Sequence, residues 1–380
     1  MSRIVQLANF VTPTSGGLRT ALGHLADGYA TAGHEVVQVV PGVQDAVEAT
    51  PWGRRVQLRA PLLPGTGYRV LTEPRRVTAA LALLEPDRVE VHDRTTLRGI
   101  GRWAQNAGVP SLVVSHERLD RWLRQWLSAR LPLDRVADRS NAALAQSFDT
   151  VVCTTGWAEQ EFARLGVEQL RRVPLGVDLE AFRPRSELSQ GESHREGQLR
   201  LVMASRLSKE KRPDLALGAA AELRRRGHDV RLSVAGDGPL RESLRNQFAA
   251  APLDWPGYVQ GRDRMAALLG AADLVLAPGP VETFGLAALE ALACGTAVVA
   301  NIHSALPEVL GDAGRASAST PRSFADAVEA LLLIDPGERR RRARARAEQF
   351  PWAVTVEGFL RAHRLPLAPT QAAVRALALP

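Results

Sequence analysis

Cysteine is scarce in this 380-residue chain. Cys153 and Cys294 are the only two, so no disulfide framework can be read and a reducing cytosol is expected. The opening MSRIVQLANF lacks the long apolar core of a secretory signal. Nowhere do eighteen or more apolar residues run together, so no membrane-spanning helix is expected. H-E-x-x-H and C-x-x-C spacings are missing, and with them any sign of a protein-built metal site. No G-x-S-x-G occurs, which leaves a serine hydrolase without support. AGDGP (235–239) lacks the glycine spacing of a dinucleotide-binding turn and argues against a nicotinamide enzyme.

What remains is an ordinary globular composition, 45% hydrophobic and 23% charged, in a chain too long for one core. Two domains are expected. The formal net charge of +7 favours anionic partners: nucleotides, nucleic acid or acidic lipid. RIVQLANF (3–10) reads as a buried strand, followed by a Gly-containing turn, a helix with apolar spacing at Leu18, Leu22, Leu25 and Tyr29, and the strand HEVVQVVPG. This is a βαβ unit, which implies parallel pairing. Strand candidates RVEVH, SLVVSH and DTVVCTT follow. A second series of the same kind starts at QLRLVMASRL (198–207). The polar, aperiodic stretch 183–198 between the series reads as a linker. The fold class is therefore α/β, two Rossmann-like parallel-sheet domains over 1–182 and 199–350. In open parallel sheets ligands sit beyond the carboxyl ends of the strands, so the cleft between the two domains is the expected site.

The motifs fall on that edge. Glu282 sits in the turn after strand DLVLAP, and Glu290 on the second turn of the helix that begins near Gly285. Glu282 either caps this helix or accepts hydrogen bonds from a sugar, with the amides of Phe284, Gly285 and Leu286 beside it and Thr283 in the same turn. Glu290 is either solvated or, since its neighbours are apolar and a buried carboxylate needs partners, held by a ligand such as a ribose diol. Arg206 and Lys211 flank a turn before Pro213. They form either a solvated basic loop or a pair that converges on a diphosphate. Gly16-Gly17 mark a strand-to-helix turn that is either an ordinary tight turn or a close backbone approach to a ligand. His116 closes a strand and is either structural or functional. Residues 117–135 alternate Leu119, Trp122, Leu123, Trp126 and Leu127 with Arg118, Arg121, Arg124 and Arg130. This basic amphipathic helix suits either an anionic membrane interface or packing on its own domain. The cationic stretch 339–350 reads as a solvated helix face that can add to lipid attraction.

Taken in order, SGGLRT, SHERLD, SRLSKEK, AGDGPL and ETFGLAALEALACGT resemble the retaining family-four glycosyltransferases of GT-B fold, over roughly residues 3–350. The E-x7-E motif of that family is here Glu282 to Glu290. TLRGIGRW, FDTVVCTTG, VPLGVDL and APGPVETFGLAALEALACGT carry a closer likeness to its actinobacterial branch, which uses GDP-mannose on phosphatidylinositol-mannoside acceptors. The resemblance implies that Arg206 and Lys211 hold the donor diphosphate. It places Glu282, Thr283 and the Phe284–Leu286 amides on the transferred sugar and Glu290 on the ribose. Gly16 and Gly17 would line the phosphates from the other domain, Val259 would lie beside the donor, and His116 would contact the sugar near its reacting carbon. It further implies that residues from 351 onward cross back to the first, acceptor-side domain.

The expected activity is transfer of a hexose, mannose from GDP-mannose, with retention, onto a phosphatidylinositol-mannoside-type glycolipid. No cofactor is expected beyond the nucleotide-sugar donor. The enzyme would be cytoplasmic and peripheral on the inner face of the cell membrane, held there by the 117–135 helix. A soluble transferase using another nucleotide sugar on a small acceptor is the alternative. No nucleic-acid partner is expected, because basic residues interleaved with stacking aromatics are missing from the glycine loops. One departure leaves the base open: Gly261, with Asp263 two residues on, stands where some relatives have an acidic residue that can pair with guanine.

Overall fold

Runs such as Ile4-Val5 and Val113-Val114 are buried on both faces of a sheet, the pattern expected of parallel strands covered by helices on each side. The computed structural model describes residues 1–12, 16–64, 66–126, 131–184, 197–249 and 251–367. The first eight strands are β1 (Arg3–Leu7), β2 (Glu35–Gly42), β3 (Ala46–Thr50), β4 (Gly53–Arg59), β5 (Arg88–Val91), β6 (Ser111–Ser115), β7 (Thr150–Cys153) and β8 (Leu170–Arg172). They form one sheet in the order β3-β4-β2-β1-β5-β6-β7-β8. A second sheet holds β9 (Leu199–Ala204), β10 (Val230–Ala235), β11 (Leu253–Gly257), β12 (Leu274–Ala277), β13 (Ala297–Asn301) and β14 (Gly314–Ser317), in the order β11-β10-β9-β12-β13-β14. The second sheet is parallel throughout. In the first, β3 runs antiparallel to β4 at the edge, a hairpin the sequence reading did not foresee. The two-residue link Pro51-Trp52 is too short for the crossover that a parallel pair needs.

Each sheet reverses its strand order once. The chain moves outward from β1 to β2 and returns to the other side of β1 with β5; in the second sheet β9 and β12 play the same parts. A crevice opens at the carboxyl ends of such strand pairs.

The linker assignment 183–198 falls largely on residues 185–196, outside the described residues. The helix Trp352–Ala362 packs on the first domain. Phe359 and Leu360 join the core of Ile4, Leu25, Tyr29 and Val114, and Thr355 donates to Pro174 O at 2.9 Å. Among the described residues no helix is long and apolar enough to cross a membrane.

Two helical expectations are corrected. The stretch 117–135 is not one helix. It holds the helix Leu119–Trp126 and the start of another, Leu133–Ser147, with Pro132 entering the second where a residue without an N–H is tolerated. Arg118 does not face solvent: it is buried, pairs with Asp120 at 2.7 Å and lies over the Trp157 ring. Arg121 is exposed, and Arg124 pairs with Asp134 at 2.7 Å. The side chains of Trp122 and Trp126, and residues 127–130, lie outside the described part. The cationic helix Pro336–Ala347 is only partly a solvated face. Arg339 is buried, and Arg344 donates to the carbonyls of Leu179, Phe182 and Ala293.

Candidate active site

The two switch points carry most of the residues singled out from the sequence. Arg206 and Lys211 follow β9, Glu282 follows β12, and Gly16-Gly17 follow β1. A Cβ added at Gly17 would stand 3.7 Å from Leu286 Cδ1, so the start of the helix Gly17–Thr31 meets the start of the helix Leu286–Ala293 across the cleft. Neither helix has a side-chain cap at its N-terminus, and neither has an acidic residue in its first turn. Two helix starts without a side-chain cap among the described residues, each at the positive end of a helix dipole, therefore meet at one place.

Lys211 adds a full charge. It lies at the end of the short turn Lys209–Lys211 and pairs with Glu282 at 2.5 Å. Burial by itself lowers the lysine pKa, but the Glu282 carboxylate and then Glu210 outweigh it and raise the value, so the ammonium stays charged. Lys209 and Lys211 are the only lysines in the chain. Arg206 reaches the other domain instead: it donates to Thr66 O at 2.7 Å, and its guanidinium lies 5.0 Å from the Tyr68 ring centroid. Phe10, held at φ 60 just past β1, meets Tyr68 edge-on at 5.8 Å. A column of Phe10, Tyr68 and Arg206 thus braces the cation across the cleft, a contact that sequence spacing gave no means of finding.

Gly285 enters its helix in the left-handed region, φ 76, and a Cβ there would stand 2.4 Å from Leu306 Cδ2. Only glycine fits that turn without strain. The Phe284 side chain is buried edge-on to Phe350, so only its backbone can serve the cleft. Thr283 O accepts from Thr155 of the first domain at 3.3 Å. Glu290 is half-buried and has no hydrogen-bond partner among the described residues. Burial raises its pKa to about 7, against the opposing charge of Arg262. Arg262 itself bridges Asp178 at 3.0 Å and His24 Nε2 at 3.1 Å, and Gly261 precedes it at the start of its helix. Val259 follows the edge strand β11, two strands out from β9, and is the least associated of the predicted group.

His116 stands at the carboxyl end of β6, one strand beyond the first switch point. It is not alone: its Nε2 is 2.9 Å from His92 Nδ1, and His92 Nε2 is 2.6 Å from Glu90 Oε1. The sequence reading missed both partners. A carboxylate inside the buried strand RVEV was the available signal.

A cavity of about 490 Å³ also opens between the domains, lined by Trp157, Arg172, Ser304 and Glu308 among others and by none of the predicted residues. At its edge Glu308 accepts the Gly156 and Trp157 amides at 2.8 and 3.0 Å, so the second domain caps a helix of the first. Among the described residues no group of three or more His, Cys, Asp or Glu could hold a metal ion.

Comparison with known proteins places this geometry in context. Residues 16–176 match the family model described as glycosyl transferase 4-like domain, and residues 184–350 that described as glycosyl transferases group 1. The chain is similar to the GDP-mannose-dependent alpha-(1-6)-phosphatidylinositol dimannoside mannosyltransferase of Mycobacterium tuberculosis, 45% identical over 354 residues, 92% of this chain and 93% of the relative. In structure it is similar to sucrose-phosphate synthase from Thermosynechococcus elongatus, with a TM-score of 0.80 at 19% identity over 96% and 98% of the two chains. Anabaena HepE in complex with UDP and glucose aligns with a TM-score of 0.72 at 17% identity over the full length of both.

Proposed function

As the chain is a glycosyltransferase that belongs to family four, with the GT-B fold, we propose that it moves mannose from GDP-mannose, with retention, to a phosphatidylinositol-mannoside-type acceptor at a membrane surface. The observation that carries the reading is the meeting of two uncapped helix starts beside the Lys211–Glu282 pair at the two switch points. Such a place suits a diphosphate. The named activity of the 45% identical relative supports both donor and acceptor.

In this reading Lys211, Arg206 and the amides at Gly16-Gly17 and Phe284–Leu286 bind the donor diphosphate and the charge it gains as it leaves. Glu282 and Thr283 hold the hexose, Glu290 the ribose and Val259 the base region, and His116 a sugar hydroxyl. The acceptor hydroxyl attacks the anomeric carbon from the face the diphosphate leaves. The new C–O bond forms as the old one breaks, and the hydroxyl proton passes to a phosphate oxygen. No protein base is needed; the catalysis is electrostatic. The exposed Arg121 and Arg124 on the helix Leu119–Trp126 draw the first domain to an anionic surface, which makes the enzyme peripheral on the cytoplasmic face of the membrane.

The test is release of nucleotide and transfer of sugar, screened over GDP-mannose, UDP-glucose and related donors, with lipid-linked and soluble acceptors and with anionic vesicles. Transfer from GDP-mannose to a vesicle-borne inositol mannoside is expected. Turnover of UDP-sugars alone would refute the donor, and equal transfer to soluble alcohols would refute the acceptor.

A further inference from the structure

The polar groups behind His116 all point one way. Register aligns Gln38 on β2, Gln6 on β1 and Glu90 on β5 in one buried row. Glu90 Oε1 accepts from Gln6 at 2.7 Å and faces His92 Nε2 at 2.6 Å. Oε2 accepts from Tyr29 OH at 2.7 Å and faces His363 Nε2 at 2.8 Å. A carboxylate offers about four lone-pair sites, and four groups occupy them here. Gln6 in turn accepts from Gln38 at 3.0 Å, which fixes the amide orientation of Gln6 as a donor toward Glu90.

An ionised Glu90 can only accept, so His92 must carry its proton on Nε2. The Nδ1 of a neutral His92 is then a lone pair, and His116, 2.9 Å away, must donate to it from Nε2. The two rings meet edge to edge, centroids 5.2 Å apart and planes within 21°, which keeps the Nε2–Nδ1 contact in the plane of both. What is left to His116 is an unprotonated Nδ1 with no protein partner among the described residues, at the carboxyl end of β6 where the cleft opens. We propose that Glu90 and His92 are positioning residues that hold His116 as a neutral imidazole with Nδ1 bare, so that it accepts a hydrogen bond from a hydroxyl of the transferred hexose.

This inference rests on the reading that His116 touches the sugar. Burial is the first cause that lowers the His116 pKa, to about 3, in keeping with a neutral ring. A neutral acceptor does not oppose positive charge that develops at the anomeric carbon, whereas an imidazolium would. The arrangement also gives the last helix a part in the site. His363 fills the fourth position on Glu90 only because the helix Trp352–Ala362 returns to the first domain.

The experiment is a two-bond proton–nitrogen spectrum of the full chain labelled with 15N-histidine, with the His116 signals assigned from His116→Ala. At pH 7 both His92 and His116 are expected as neutral Nε2–H tautomers. His92→Phe keeps an aromatic ring at this place but removes the acceptor. His116 should then lose its single tautomer, and kcat for sugar transfer should fall at least tenfold with the donor KM changed less than threefold. His92→Gln, whose amide can donate to Glu90 and accept from His116, should recover kcat to within about fivefold of the parent. A His116 protonated on Nδ1 in the unaltered protein, or a His92→Phe protein with unchanged tautomer and kcat, would overturn the proposal. Equal losses in the Phe and Gln variants would also overturn it, as a merely structural effect. Full turnover by His116→Ala would overturn the underlying reading of the site itself.

Discussion

Replacing Lys211 by methionine separates the observed task of that side chain, neutralising Glu282, from the proposed one, binding the leaving diphosphate. The pair is partly buried, with 26% and 25% of the two side chains exposed. Its loss should therefore destabilise less than the 3–5 kcal/mol of a fully buried pair and more than a surface pair: about 1–2 kcal/mol. Turnover should suffer more. Removing one preorganised charge from a leaving group costs on the order of 10²-fold, or about 2.7 kcal/mol of transition-state stabilisation. The double variant Lys211→Met with Glu282→Gln removes the stranded carboxylate, so stability should return to within about 0.5 kcal/mol of the parent. Activity should not return, because no cation has been restored. Urea unfolding reads the first quantity and nucleotide release from GDP-mannose the second. A Lys211→Met protein within threefold of the parent in turnover, or a double variant that regains activity, would refute the assignment of Lys211 to the diphosphate. Lys209 and Lys211 are the only lysines, so amine acylation followed by peptide mass analysis gives an independent check. Bound nucleotide sugar should protect Lys211.

The same geometry sets the pH dependence through Glu290 and the cost of two glycine substitutions. Burial holds the Glu290 carboxyl at about 7 rather than the ordinary 4.5, so the folded protein keeps a proton that the unfolded chain has lost between those values; stability should fall as pH rises across that window. A ribose diol would donate to the ionised form, so nucleotide affinity should rise from pH 6 to pH 8 with release of a proton. Titration calorimetry in two buffers of different ionisation enthalpy detects that proton, and Glu290→Gln should abolish it. Gly285→Ala should cost about 2 kcal/mol or more in thermal unfolding, since its φ is 76 and its Cβ would stand 2.4 Å from Leu306. Gly16→Ala, where an added Cβ meets nothing within 4 Å, should fold with stability changed by less than about 0.5 kcal/mol.

The legible part of the site was the part carried by local spacing. A glycine turn after β1, cations after β9 and a glutamate after β12 can be read because strand ends and helix starts are local events with turn residues that mark them. The basic stretch at 117–135 was misread because its arginines looked alike in sequence. Burial and an Asp120 carboxylate two residues away turn Arg118 inward, whereas Arg121 stays exposed. In the same way Arg339 and Arg344 vanish into carbonyl contacts, although the helix around them reads as solvent-facing.

The amino-acid order alone determined two α/β halves and placed Arg206, Lys211 and Glu282 at the carboxyl ends of their strands, the edge of the candidate site. Periodicity and turn chemistry act over a few residues and need no partner. Only the tertiary structure decided that Arg206 is braced on Tyr68, that Glu308 caps a helix of the other domain, and that Glu90 gathers Gln6 of β1, Tyr29 of the first helix, His92 just past β5 and His363 just past the last helix. Those contacts join residues up to 273 positions apart. Their partners are chosen by strand order and register, which exist only once the sheets have formed.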